Sequence, residues 1–120
     1  YEGKARIYGL MLNEKVVGGG VVFQSVSPDT RKYREVAQEW LDREYVYLGF
    51  LFVDESYRKM GLGSHFLKSF QSQFSNQKVW LTIDEIGLVS FYEKHGFSLI
   101  GKVPVAGIEE WIMSWLPRRL

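Results

Sequence analysis

Cysteine is absent from the 120 residues. That excludes a disulfide scaffold, a thiolate zinc site and a cysteine nucleophile. It fits a reducing compartment, and a cytoplasmic location is the expectation. Proline is scarce, with three in the chain. Charge of one sign is lacking too. Lys and Arg total 15 against 14 Asp and Glu, a net charge of +1. So even a balance gives no electrostatic reason to expect nucleic acid or an anionic membrane as partner. No apolar run approaches the ~18 residues of a membrane span. No signal-peptide pattern opens the chain. His65 and His95 stand alone, without partners at metal-ligand spacing, so no metal is expected.

What is present is an ordinary globular composition, 46% hydrophobic and 16% aromatic. The length suits one domain with one real core. Residues 5–12 and 16–26 are apolar runs around the polar turn Asn13-Glu14-Lys15, which predicts a hairpin over 4–27. Gly18-Gly19-Gly20 inside the second run predicts a bulge or a close backbone approach. Ser27-Pro28-Asp29-Thr30 is a turn and helix-start signal. After it Tyr33, Val36, Ala37, Trp40 and Leu41 recur at helical spacing, predicting an amphipathic helix over 31–44.

Residues 45–53 carry no charge and many aromatics, which predicts a central strand buried on both faces. A Gly-rich loop and a helix with Leu62, Phe66, Phe70 and Phe74 on one stripe complete a unit over 45–75. Residues 78–116 read as strand, short helix and two more strands. In the last strand Trp111, Met113 and Trp115 share a face. The order ββ-α-β-α-β-α-ββ predicts a mixed α/β layer fold.

The unit of strand, turn, Gly-rich loop and helix carries the chemistry. Gly61 and Gly63 stand where the helix begins. Without Cβ atoms they let a ligand approach the backbone. First-turn amides have no partner inside a helix and sit at its positive end, a natural place for phosphate. Arg58 and Lys59 add cationic charge at the rim, and the Ser64 hydroxyl adds a donor. Neither Gly-x-Gly-x-x-Gly nor Gly-Lys-Ser/Thr is present.

Leu51-Phe52-Val53-Asp54-Glu55-Ser56-Tyr57-Arg58-Lys59-Met60-Gly61-Leu62-Gly63 resembles the acetyl-CoA signature of the GNAT acetyltransferases, Gln/Arg-x-x-Gly-x-Gly/Ala between strand and helix. Further along, Ser90-Phe91-Tyr92-Glu93-Lys94-His95-Gly96-Phe97 resembles their second signature, Phe-Tyr-x-Lys-x-Gly-Phe. Two motifs in the right order are far more specific than either alone. The resemblance spans about residues 4–116 and is strongest over 45–101.

The resemblance implies an α/β fold with a mixed, mostly antiparallel sheet, splayed between the central strand and the next, and helices on both faces. It implies an N-acetyltransferase that moves acetyl from acetyl-CoA, its cosubstrate, to a primary amine by direct attack. The CoA pyrophosphate would lie on the amides of Lys59, Met60, Gly61, Leu62, Gly63 and Ser64, beside Arg58. The pantetheine arm would pair along Leu51, Phe52 and Val53, and the amide of Phe52 or Val53 would hold the thioester oxygen. Tyr92 would be the acid that protonates the leaving sulfur. Phe91 and Phe97 read as core.

The chain departs from the family pattern in three places. The usual Asn before the Phe-Tyr pair is missing from Asp84-Glu85-Ile86-Gly87, with Glu85 in its place. The central strand has no carboxylate to serve as base, which leaves Glu44, Asp84 or Glu85 as candidates and Tyr47 as a liner of the proton path. The usual front strand and two helices are missing, and the first residue is Tyr1, so the sequence reads as the core of a longer protein. The helix over 31–44 is expected to border the acceptor site. The alternatives are a non-catalytic acyl-CoA-binding module, or a phosphate- or nucleotide-binding domain of another class. The terminal strand, with Trp111 and Trp115, is a candidate edge for a homodimer. The basic end 117–120 reads as a solvated tail.

Overall fold

The computed structural model describes residues 5–58, 60–105 and 107–117, apart from the side chain of Asp29. The basic tail at 118–120 and Lys59 lie outside the described residues. Two strands form the predicted hairpin, β1 (Ala5–Leu12) and β2 (Lys15–Phe23). A 3-10 turn (Pro28–Tyr33) leads into α1 (Arg34–Asp42). Then come β3 (Tyr45–Val53), a second 3-10 turn (Glu55–Tyr57) and α2 (Leu62–Gln73). β4 (Lys78–Ile83), a third 3-10 turn (Ile86–Leu88) and α3 (Val89–Glu93) follow. β5 (Ser98–Lys102) and β6 (Trp111–Trp115) close the chain. Among the described residues no helix is long and apolar enough to cross a membrane.

The six strands make one sheet in the order β1-β2-β3-β4-β6-β5. Every neighbouring pair is antiparallel except β3 with β4. Side-chain alternation divides β3 between two cores. Val46 and Leu48 join Phe66, Leu67 and Phe70 of α2 and Tyr92 of α3 on one face. Tyr45 and Tyr47 join Trp40 of α1, Trp80 and Ile112 on the other. Helices therefore cover both faces. The stripe on α2 accounts for its place, since burying Phe66, Leu67 and Phe70 stabilises the fold by about 2 kcal/mol each.

Four expectations need correction. The helix over 31–44 is two pieces, because Tyr33 leaves the helical region (φ −136°, ψ 52°) to bury its ring against the sheet. The second strand stops at Phe23 rather than Val26. The terminal strand β6 is not an edge, because the β5–β6 hairpin folds back and inserts β6 between β4 and β5. That removes the reason for a dimer through Trp111 and Trp115. Finally, β3 is buried on both faces only from Tyr45 to Gly49, while Phe50 and Phe52 are 54% and 55% exposed.

The glycine run gives the close approach that it predicts, while the bulge lies opposite it on β3. The register of β2 against β3 shifts between Gly19 and Val21, so that Phe50 and Leu51 stand opposite Gly20 alone. A Cβ on Gly18 would lie 2.5 Å from the carbonyl oxygen of Phe52, so only glycine allows this approach. The bulged Phe50 takes a left-handed backbone (φ 52°), uncommon for an aromatic residue.

Candidate active site

β3 and β4 are paired only at Tyr45↔Lys78, Val46↔Val79 and Tyr47↔Trp80. Beyond those pairs the strands part. The gap is a cleft of about 300 Å³, walled by residues 47–51 of β3, Leu81, Thr82 and Ile83 of β4, and Asp84, Leu88, Tyr92 and Glu110. Parting leaves the edge of β3 from Leu48 onward without a strand partner on that side. Strand alternation fixes what this edge offers. The Asp54 amide donates to Val17 of β2 at 2.6 Å. The Phe52 carbonyl also faces β2, as the Gly18 contact shows. Val53, between them, therefore turns its N–H and C=O to the open side of β3, away from β2. Of the two amides expected to meet a thioester oxygen, only that of Val53 lies on this open side.

At the end of β3 lies a second hollow of about 260 Å³, lined by Val53, Tyr57, Arg58, Gly61, Leu62, Gly63, Ser64 and Phe91. Gly61 caps α2 in the left-handed conformation (φ 76°). The first bond of the helix runs from the His65 amide to the Gly61 carbonyl at 3.0 Å. The amides of Leu62, Gly63 and Ser64 precede it and are left for a ligand. Arg58 Nε donates to the Val53 carbonyl at 3.1 Å, which ties the arginine to the strand end and leaves its terminal amino groups for an anion. A Cβ on Gly63 would meet the Phe91 ring at 3.3 Å. Ser64 Oγ is 3.0 Å from His95 Nε2. Burial, then the Lys68 and Lys94 charges, pushes the His95 pKa below its ordinary value, which favours a neutral ring. Phe52 and Met60 line neither hollow, and Lys59 lies outside the described residues.

Gly61 allows a direct test of this end. Gly61→Ala keeps open space around the new methyl, since nothing lies within 4 Å. It still forces a left-handed alanine, which costs about 1 kcal/mol. The urea midpoint should fall accordingly, and the affinity for CoA should fall with it as the loop amides lose their alignment.

Tyr92 forms part of the cleft wall with its ring almost wholly buried. Burial pushes its pKa from 10.0 up to about 12, so the phenol keeps its proton. The three carboxylates named as candidate bases separate. Glu44 precedes β3 at the paired end, away from the cleft, with its backbone carbonyl held by Gln77 Nε2 at 3.0 Å. Asp84 lines the cleft. Glu85 is exposed and does not. Tyr47 lines it, as expected. Among the described residues no group of three His, Asp or Glu is placed to hold a metal.

Sequence reasoning missed Glu110, which lies just before β6. The antiparallel register that sets Trp111 against Ile83 brings it to the cleft. Its Oε1 accepts from Thr82 Oγ1 at 3.1 Å and from Tyr33 Oη at 3.3 Å, and its Oε2 pairs with Lys32 Nζ at 2.7 Å. Tyr47 Oη is 3.1 Å from the same Thr82 hydroxyl. The signal in the sequence was Glu109-Glu110 set directly before an apolar strand.

A family model described as an acetyltransferase (GNAT) domain matches residues 36–115. No curated protein matches the sequence significantly. Among solved structures, Escherichia coli ElaA is 20% identical, with a TM-score of 0.64 over 94% of this chain and 69% of its own. An acetyltransferase from Thermus thermophilus is 16% identical, with a TM-score of 0.67 over 94% of this chain and 64% of its own. An acyl-CoA N-acyltransferase from Pseudomonas aeruginosa is 15% identical, with a TM-score of 0.62 over 94% and 69%. The chain thus spans about two-thirds of the length of these structures. At such identities the likeness establishes the fold.

Proposed function

The chain belongs to the GNAT acetyltransferase family, and from that premise we propose that it transfers an acetyl group from acetyl-CoA to a primary amine by direct attack on the thioester. The observation that carries this reading is the parting of β3 from β4, which leaves a strand edge facing a cleft that leads to a helix N-terminus. A pantetheine arm is a chain of amides and suits an unpaired strand edge. Its pyrophosphate suits the helix end, where the amides of Leu62, Gly63 and Ser64 and the Arg58 guanidinium supply donors. The exposed Phe50 gives the far side of the cleft an apolar surface for the acceptor.

In the reaction, the amine nitrogen attacks the thioester carbon and negative charge develops on the carbonyl oxygen. The Val53 amide donates to that oxygen. When the C–S bond breaks, its electron pair leaves on sulfur, Tyr92 gives that sulfur a proton, and the surplus proton of the acylated nitrogen returns to the Tyr92 oxygen, so that amide and thiol both leave neutral. The turn at 28–33, which leads into α1, borders the acceptor side of the cleft, since Tyr33 reaches Thr82 and Glu110.

Thermal-shift titration with acetyl-CoA, CoA and ATP tests the reading. A ligand that binds the folded state stabilises it by mass action, so acetyl-CoA and CoA should raise Tm in a concentration-dependent way. ATP should do so far less, because it has no pantetheine arm to lie on β3. No shift with acetyl-CoA would end the proposal, and an equal shift with ATP would make this a nucleotide site instead.

A further inference from the structure

The deprotonation of the acceptor lacks an owner in the family's usual place, because β3 carries no carboxylate. Resting on the transfer reading above, we propose that Glu110 is the proton acceptor for the incoming ammonium, with the Thr82 hydroxyl as carrier.

Among the described residues, Glu110 is the one carboxylate lining the cleft that is both held in position and joined to a hydroxyl of its wall. Asp84 also lines the cleft but is exposed beyond the end of β4. Glu110 is fixed from several sides. Its backbone carbonyl accepts from the Val103 amide at 2.9 Å, so the connection between β5 and β6 sets its place. Tyr33, Thr82 and Lys32 fix its carboxylate. Oε2 is buried beside Lys32, and Oε1 is the end reached through Thr82. The Thr82 oxygen has two lone pairs. Tyr33 Oη also lies 3.1 Å from it but gives its one proton to Glu110 Oε1, so with Tyr47 donating to one lone pair the other can take a proton from the substrate.

The step balances. One N–H bond of the ammonium breaks and its electron pair stays on nitrogen as the attacking lone pair. The proton passes to Thr82 Oγ1 as the proton of Thr82 passes to Oε1 of Glu110. The carboxylate becomes a carboxylic acid and the amine becomes neutral. The walls of the cleft favour this direction, since Tyr47 and Phe50 take the ammonium partly out of water, and desolvation disfavours the charged amine.

The test compares two kinds of acceptor on Glu110→Gln and Thr82→Val. Spermidine, phenethylamine and a lysine peptide arrive protonated at neutral pH, whereas hydroxylamine arrives neutral and needs no base. Release of CoA thiol from acetyl-CoA is followed for each. With the alkylamines, kcat/KM of Glu110→Gln should fall by roughly 10²-fold or more, and Thr82→Val should fall in the same direction. With hydroxylamine both variants should match the wild type. Equal losses with both kinds of acceptor would make Glu110 a structural residue and overturn the proposal. So would wild-type activity of Glu110→Gln on alkylamines. If the wild type binds acetyl-CoA but transfers to none of these amines, the transfer reading itself falls, and the role of Glu110 falls with it.

Discussion

Tyr92→Phe is expected to lower kcat by roughly 10²- to 10⁴-fold, the usual contribution of a positioned general acid. The affinity for acetyl-CoA should stay unchanged. The substitution removes only the hydroxyl. The ring of Tyr92 packs edge-on against Phe91 at 5.1 Å and against Phe97 at 5.5 Å, and phenylalanine keeps both contacts. The site loses its proton donor and keeps its shape. A phenol pushed up to about 12 is a poorer acid in water. In the cleft the leaving thiolate is deprived of water by the same walls, which raises its own demand for a proton. Steady-state kinetics beside a calorimetric Kd separates the two effects. An unchanged kcat would remove Tyr92 from the mechanism.

The same residue gives the protein an alkaline limit. Its folded pKa, about 12, lies above the unfolded value near 10, so the native state holds this proton more tightly. The stability this contributes is whole below pH 10 and is lost as pH rises through about 12. Two pKa units correspond to about 3 kcal/mol. Tyr92→Phe has no such proton to lose. The stability difference between wild type and variant, read from urea midpoints, should therefore shift against the wild type by about 2 kcal/mol between neutral pH and pH 12, where the folded phenol is half ionised. A constant difference would mean that the phenol is in contact with water.

The strand, loop and helix proposed to hold the cofactor were legible because they are local. Arg58, Gly61 and Gly63 follow the end of β3 and open α2, so sequence spacing and spatial spacing coincide. The acceptor half was not. Glu110 lies 77 residues from Tyr33 and 28 from Thr82, and only the β4–β6 register joins them. Nor could the apolar run of β3 announce that Phe50 and Phe52 would be exposed. An uncharged run says that water must be kept away, but not whether protein or ligand does so. The course of β4 decides that. The dimer edge failed for the same reason, since a terminal strand can be inserted inside a sheet as readily as added to its margin.

Trp80→Ala should be the most damaging core substitution on the acceptor side, lowering stability by about 3–5 kcal/mol. That is a large share of the ~5–15 kcal/mol of a typical domain. Trp80 is 1% exposed. It stacks on Trp40 of α1 at 5.6 Å and 10°, and its ring also meets Tyr47 at 4.8 Å. Alanine would leave a cavity between α1 and the sheet that neither backbone can close. Trp80→Phe is expected to cost much less than its lost volume suggests. The indole N–H is buried and has no hydrogen-bond partner among the described residues, a standing penalty of about 1–3 kcal/mol that phenylalanine removes. Function should follow the same geometry. Tyr47 would keep only a smaller ring behind it while its hydroxyl still reaches Thr82, so the KM for the acceptor should rise in Trp80→Phe. The Kd for acetyl-CoA should hold, because the loop that would carry it is anchored through α2 on the opposite face. Urea denaturation of both variants, with the two constants measured on Trp80→Phe, checks this. A rise in the CoA Kd equal to the rise in KM would show that the two halves of the cleft are not independent.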